Sequence, residues 1–271
     1  MSFPENAATT GQVTATAAEI YDAFFVPALF GEWARPLCDA AGIASGVRVI
    51  DIACGTGATT RAAQTAASPG GEVMGLDRNT GMLSVARARS PDIAFIEGRA
   101  EALPFPDQSF DVVLCQFGLM FFEDRAAALQ EMRRVLRPDG HVALSVWDQV
   151  ETSPGYARMI ALLNRLFGKE EADALRAPFV LGKLPELQAQ LARGGMRGAK
   201  ISTQTGMARF ESIAEWVRTD VRGWTLADMI DDDQYAALAD AAEREFGDLT
   251  SPDGLVCFPA PAHIVTWPSP R

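Results

Sequence analysis

The chain has 271 residues, 48% of them apolar and 22% charged, with 35 acidic against 24 basic side chains and a net charge of −11. That balance describes a globular protein able to bury a sizeable core in one large domain, or in one domain with an appendage. The acidic excess argues against a nucleic-acid grip or docking on an anionic membrane, both of which need clustered Lys and Arg.

No run approaches the ~18 apolar residues of a membrane span. The start, MSFPENAATTGQVTATAAEI, lacks the basic residues and apolar centre of a signal peptide, so a cytoplasmic protein is expected. Cys38, Cys54, Cys115 and Cys257 form no CxxC pair, and His141 and His263 are the only histidines. Neither a disulfide framework nor a zinc site is expected from them.

Residues 1–19 are small and polar enough to form a loose end. From Tyr21 to Ala41 apolar and aromatic residues crowd together, and Pro27 and Pro36 predict short helices rather than one long one. A regular alternation then begins. VRVIDIA (47–53) reads as a strand ending in the turn Cys54-Gly55-Thr56-Gly57, and ATTRAAQTAAS as a helix stopped by Pro69-Gly70-Gly71. EVMGLD (72–77) is a second strand, followed by a helix that Asn79 can cap. IAFIEG (93–98) and FDVVLCQF (110–117) are the third and fourth strands. An amphipathic helix over 124–137 and the turn Pro138-Asp139-Gly140 lead into HVALSVW (141–147), the fifth.

Beyond Trp147 the alternation lapses. Helices are expected within 154–194, where Met159, Leu162, Leu163, Leu166 and Phe167 read as core. A strand-like KISTQTG follows, then a long helical stretch around 211–246 and a last strand at 263–268. The run Asp231-Asp232-Asp233 reads as a solvated helix start, since no spaced carboxylate and glycine pattern of a cation site accompanies it.

Strands that are almost wholly apolar, alternating with helices over short links, imply a parallel sheet covered on both faces. Right-handed crossovers put the ligand crevice of such a sheet at the carboxyl ends of its strands, where the strand order reverses. The turn Asp51-Ile52-Ala53-Cys54-Gly55-Thr56-Gly57 lies there, and its glycines allow a phosphate, a carboxylate or a ribose-bearing ligand to approach the backbone. Thr60 stands where a dinucleotide fingerprint has its third glycine, and the GK[ST] ending of a P-loop is absent. Asp77, twenty residues past Gly57, is placed to take both ribose hydroxyls.

DIACGTG, the acid of GLD, EGRAEALPFPDQSFDVVLCQFGLMFF and RVLRPDGHVALSVW together resemble the class I S-adenosylmethionine-dependent methyltransferases. Within these, the chain is similar to the small-molecule type that includes the ubiquinone and menaquinone C-methyltransferases. The resemblance covers roughly residues 47–147. It implies an α/β fold, a Rossmann-like, doubly wound, mainly parallel seven-stranded sheet with helical cap elements. It also implies three segments: an N-terminal helical cap (1–46), a cofactor-binding core (47–147) and a C-terminal part (148–271) that completes the sheet.

By the same resemblance, Ala53, Gly55 and Gly57, with Thr56 between the glycines, line the methionine part of S-adenosylmethionine. Asp77 binds the ribose, and Arg78 and Met82 flank the adenine. Arg99, Ala100 and Glu101 occupy the loop at the adenine edge, although the family often has Asp where Arg99 stands, and arginine cannot accept a hydrogen bond. Gln116 and Phe117 fall beside the sulfonium, and Tyr21 and Trp33 are candidates for the rim. The resemblance implies methyl transfer to a small-molecule acceptor, with S-adenosylhomocysteine as product and a monomer or homodimer as the working form.

In-line attack on an activated methyl needs mainly alignment and exclusion of water. No residue stands out as a catalytic base; His141 and His263 read as structural, and Glu101, Asp148 and Tyr156 remain open. An NAD-linked oxidoreductase and a non-catalytic adenosyl-ligand binder are the competing readings.

Overall fold

The structure is a computed structural model and describes residues 15–268 apart from 224, 225 and 227. The loose end expected over 1–19 therefore lies outside the described residues up to residue 14, while Ala15–Ile20 is already helical (α1). A π-helical segment, Tyr21–Phe30, and α2, Gly31–Ala41, continue it without a break. The two prolines thus do not divide this run. The wider π turn lets the Gly31 N–H reach back to the Val26 carbonyl around Pro27. Burial of Phe25, Leu29, Phe30, Trp33 and Leu37 outweighs the backbone cost of Pro36. We call residues 15–41 the strap.

The alternation follows as expected: β1 Arg48–Ile52, α3 Ala58–Ala67, β2 Glu72–Asp77, α4 Thr80–Arg89, β3 Ala94–Glu97, β4 Phe110–Gln116, α5 Arg125–Val135 and β5 Leu136–Trp147. β5 starts earlier than the sequence suggests. Phe110 pairs with Leu136 and Val112 with His141, so the residues between, including Pro138-Asp139-Gly140, are thrown out of register. The second half comprises α6 Pro154–Leu166, α7 Lys169–Arg176, α8 Leu184–Arg193, β6 Lys200–Phe210, α9 Ile213–Arg222, α10 Asp232–Glu245 and β7 Val256–Trp267. The stretch expected to be one helix around 211–246 is thus two. Asp231 begins the second with a reciprocal capping box to Gln234, which accounts for the acidic run.

All seven strands form one sheet in the order β3-β2-β1-β4-β5-β7-β6. The first five are parallel, and β7 runs antiparallel to both β5 and β6. β7 is longer than expected and includes Pro259 and Pro261. Both sit beyond Ala262, where pairing with β5 ends; their carbonyls accept from Ser153 Oγ and the Asp148 N–H on that side, and no ladder donor is missed. Among the described residues no helix is long and apolar enough to cross a membrane.

Behind the sheet's second half, Trp216 is fully buried among Tyr156, Phe210, Phe246 and Phe258. Gly155 lets α6 lie flat on the Phe258 ring, since a Cβ there would fall 2.5 Å from it. The strap crosses from one side of the sheet to the other. Asp22 pairs with Arg89 of α4 at 2.8 Å, while Glu32 accepts the Met207 N–H at 2.6 Å and reaches Arg209 at 3.2 Å on β6. Gly206 makes that second anchorage possible, because a Cβ there would overlap Glu32 Oε1 and the Trp33 ring. Gly206→Ala is therefore expected to cost about 1–3 kcal/mol of stability through overpacking. Urea denaturation measures the loss, and faster protease cleavage within 15–41 locates it to the strap.

Candidate functional site

The order reverses between β1 and β4, and the chain leaves both strands in a left-handed conformation. Ala53 has φ 56° and Phe117 has φ 52°, conformations that cost energy for residues with a Cβ. The two turns nearly touch. A Cβ on Gly118 would fall 2.7 Å from that of Ala53, so only glycine fits. Gly55 (φ 54°) and Gly57 (φ 82°) complete the first turn. The Gly55 N–H donates to Asp77 Oδ2 at 2.8 Å and the Asn79 N–H to Oδ1 at 2.8 Å, while the Asn79 side chain caps α4 at the Met82 N–H. Burial pushes the Asp77 carboxyl above its usual range, and those backbone donors partly oppose it.

A cleft that encloses about 800 Å³, open solvent at its mouth included, lies at these strand ends. Ala53, Gly55, Asp77, Arg78, Met82, Ala100, Glu101, Gln116 and Phe117 line it. Thr56 lines an adjoining recess with Asp51, Cys54 and Gln116. Three expected residues are not on these walls. Gly57 lies behind the turn, against the Phe95 ring. Trp33, only 2% exposed, stands one layer back, edge-on to Phe117 and Trp147; the room above Gly206 draws it there. The Arg99 guanidinium is held at Glu123 at 2.5 Å, with Glu101 at 3.7 Å.

Sequence reasoning gave no role to several lining residues. Phe30, Phe121 and Phe122 join Tyr21 in an aromatic wall, with Phe30 stacked on Tyr21 at 5.1 Å and Phe117 on Trp147 at 3.9 Å. The dense aromatics of YDAFFVPALF and FGLMFF are the available signal. Asp51 is the larger omission. Its Oδ1, Thr56 Oγ1 and Gln116 Oε1 are all buried without a hydrogen-bond partner among the described residues, and all three residues line the recess. Asp51 Oδ2 accepts from Thr60 Oγ1 at 2.7 Å, so the residue in the third-glycine place supports the acid. Gln116 Nε2 donates to the Phe30 carbonyl at 3.1 Å, fixing the amide against the strap. Oxygens of all three residues thus lack partners around one recess, a set that suits a cationic donor such as an ammonium.

Of the three residues left open as bases, only Glu101 borders the cleft. Asp148 accepts the Gln149 N–H at 2.7 Å and faces His263 Nε2 at 3.2 Å. His263 is buried, with Nδ1 2.9 Å from Thr203 Oγ1 and Nε2 2.8 Å from the Gly182 carbonyl; it joins β7 to β6 and to the loop before α8. Tyr156 is enclosed in the Trp216 cluster. His141 enters β5 opposite Val112, at the far end of the sheet from the cleft.

Residues 50–144 match the methyltransferase-domain family model. A demethylmenaquinone methyltransferase of Renibacterium salmoninarum is 42% identical over 122 residues, covering 45% of this chain and 50% of the relative. One of Staphylococcus aureus is 33% identical over 188 residues, covering 64% of this chain and 78% of the relative. The chain belongs to the class I S-adenosylmethionine-dependent methyltransferases. It spans about half the length of the Renibacterium relative but more than three quarters of the staphylococcal one. The YcgJ protein of Bacillus subtilis shares the fold, with a TM-score of 0.57, 24% identity and cover of 87% of this chain and 97% of that one.

Burial raises the Asp51 carboxyl to about 7, with the Thr60 hydroxyl opposing and the charge of Asp77 adding to the rise. In the unfolded chain the same group titrates near ~3.9. The stability contributed by the protonated form is full below that value and is lost as pH rises through about 7. Unfolding free energy measured in urea between pH 4 and 8 is therefore expected to fall across this window, and Asp51→Asn to flatten much of the fall. Asp77 contributes in the same direction.

Proposed function

We propose that this chain transfers the methyl group of S-adenosylmethionine to a small-molecule acceptor by in-line displacement in a closed cleft, releasing S-adenosylhomocysteine. The observation that carries the reading is the match between cofactor and donor set along one crevice. The orphaned acceptors of Asp51, Thr56 and Gln116 suit the methionine ammonium. The backbone of the turn over 53–57 suits its carboxylate, Asp77 suits the ribose diol, and Met82 and Arg78 suit the adenine faces. When bound, the cofactor supplies a methyl group already activated by its sulfonium.

The chain's own work is then positioning and exclusion of water. Tyr21, Phe30, Phe117 and Phe121 present apolar faces to the acceptor side, and Gln116, clamped by the Phe30 carbonyl, holds an amide oxygen beside them. An acceptor that is already nucleophilic needs no general base to attack, and one methylated at a ring carbon afterwards releases its ring proton to solvent at the cleft mouth. The aromatic wall and the relatives' names favour a flat apolar acceptor of the demethylmenaquinone kind. Residues 1–46 act as cap, 47–147 as the cofactor core and 148–271 as the part that completes the sheet. A cytoplasmic enzyme working as monomer or homodimer goes with this reading.

Thermal melting with S-adenosylmethionine, S-adenosylhomocysteine or NAD tests the cofactor. At about a hundred times its dissociation constant an adenosyl ligand adds ~2.7 kcal/mol, a rise of roughly 5 °C or more. That rise is expected with both adenosyl ligands, not with NAD, and is expected to vanish in Asp77→Ala. Transfer of labelled methyl to reduced demethylmenaquinone tests the acceptor, and binding without transfer to any acceptor in a wider screen would leave a ligand-binding protein instead.

A further inference from the structure

Beyond Asp77 the cleft ends at Met82, Gly98, Ala100, Glu101 and Phe122. The cofactor reading puts adenine there, with Met82 and Arg78 against its faces. Its 6-amino group is a donor and, once out of water, needs an acceptor. Arg99 has none to give, because a guanidinium only donates, and it is committed to Glu123 at 2.5 Å. Glu123 receives Arg78 as well, at 2.9 Å, and is not part of the cleft wall. Asp77 accepts two backbone N–H groups and has its remaining acceptor sites assigned to the ribose diol.

Glu101 is the remaining carboxylate. It lines the cleft and its side chain is only 16% exposed. Oε1 accepts the Glu123 N–H at 3.0 Å, and the nearest cation to Oε2 is Arg99 Nε, at 3.7 Å. A carboxylate offers about four lone-pair sites, so acceptor capacity remains.

We propose that Glu101 reads the 6-amino group of the cofactor's adenine, the task Arg99 cannot perform, and that Arg99 and the Glu123 backbone are positioning groups that hold its carboxylate in place. The inference rests on the cofactor reading above. It assigns to the pair Arg99–Glu101 a division of labour: the arginine anchors the loop to Glu123, and its neighbour but one supplies the acceptor.

Calorimetric titration of the full chain tests this with three ligands: S-adenosylhomocysteine, its counterpart with hydrogen in place of the 6-amino group, and its inosine counterpart with a 6-oxo group. The wild-type chain is expected to prefer the amino ligand over the 6-hydrogen one by about tenfold, the worth of one buried hydrogen bond. In Glu101→Leu that ratio is expected to fall to about one, through weaker binding of the amino ligand alone. In the isosteric Glu101→Gln, whose amide can turn a donor toward the 6-oxo group, the inosine ligand is expected to bind about tenfold tighter than to wild type. A preference kept in Glu101→Leu, equal weakening of the amino and 6-hydrogen ligands, or no gain for the inosine ligand in Glu101→Gln would overturn the proposal. Failure of the wild-type chain to bind any of the three would overturn the cofactor reading itself.

Discussion

Everything at the cleft depends on the near contact between the turns that leave β1 and β4. These neighbouring strands send their crossovers to opposite sides, so their ends diverge and open a crevice between them. Closing the floor of that crevice brings Ala53 against Gly118 and drives Ala53 and Phe117 into left-handed backbone. The strain is local and has a use. It turns the Gly55 amide toward Asp77 and leaves Gln116 projecting between the two lobes of the site. A glycine turn alone would hold many anions; this one is bound to the end of the next strand and faces a second turn.

The two sides of the cleft draw on different parts of the chain. The polar side comes from consecutive β–α units between Arg48 and Phe122, and the distances that matter there are set by sheet register and short turns. The aromatic side relies on the strap, held in place by charge pairs and backbone acceptors at both flanks of the sheet. Such anchors are partly exposed and individually weak, whereas the register of a sheet buried on both faces is costly to shift.

How much of this was legible in the sequence follows the same division. β-branched apolar runs marked β1 and β4, and glycines marked the turns; Asp77 stood out by its distance from Gly57. These signals are local, so a linear reading finds them. Asp51 was harder, because an acid inside VRVIDIA reads as the strand's end, and only the missing partner at Oδ1 reveals a socket. Arg99 reads as an adenine-edge residue, and only the fold brings Glu123, twenty-four positions away, to hold it. The strap departs most from a linear reading. Two prolines signal breaks, but a π turn around Pro27 and a buried apolar side keep the helix running. Trp33 reads as a rim candidate because nothing in its neighbourhood names Gly206 as the gap it fills.

The anchorage of the strap has a consequence for how the protein is made. Its second anchor, Met207 and Arg209, lies 175 and 177 residues downstream of Glu32. The parallel core needs only residues up to about Trp147 and can assemble on the ribosome while the strap has Arg89 but not β6 to hold. During that interval the segment carrying Tyr21, Phe25 and Phe30 lacks its contact with β6, and the loop to be closed is a long one. The cleft is thus among the last parts of the molecule to take shape, and a nascent chain stalled before β6 would carry the cofactor half of the site beneath a roof fastened on one side only.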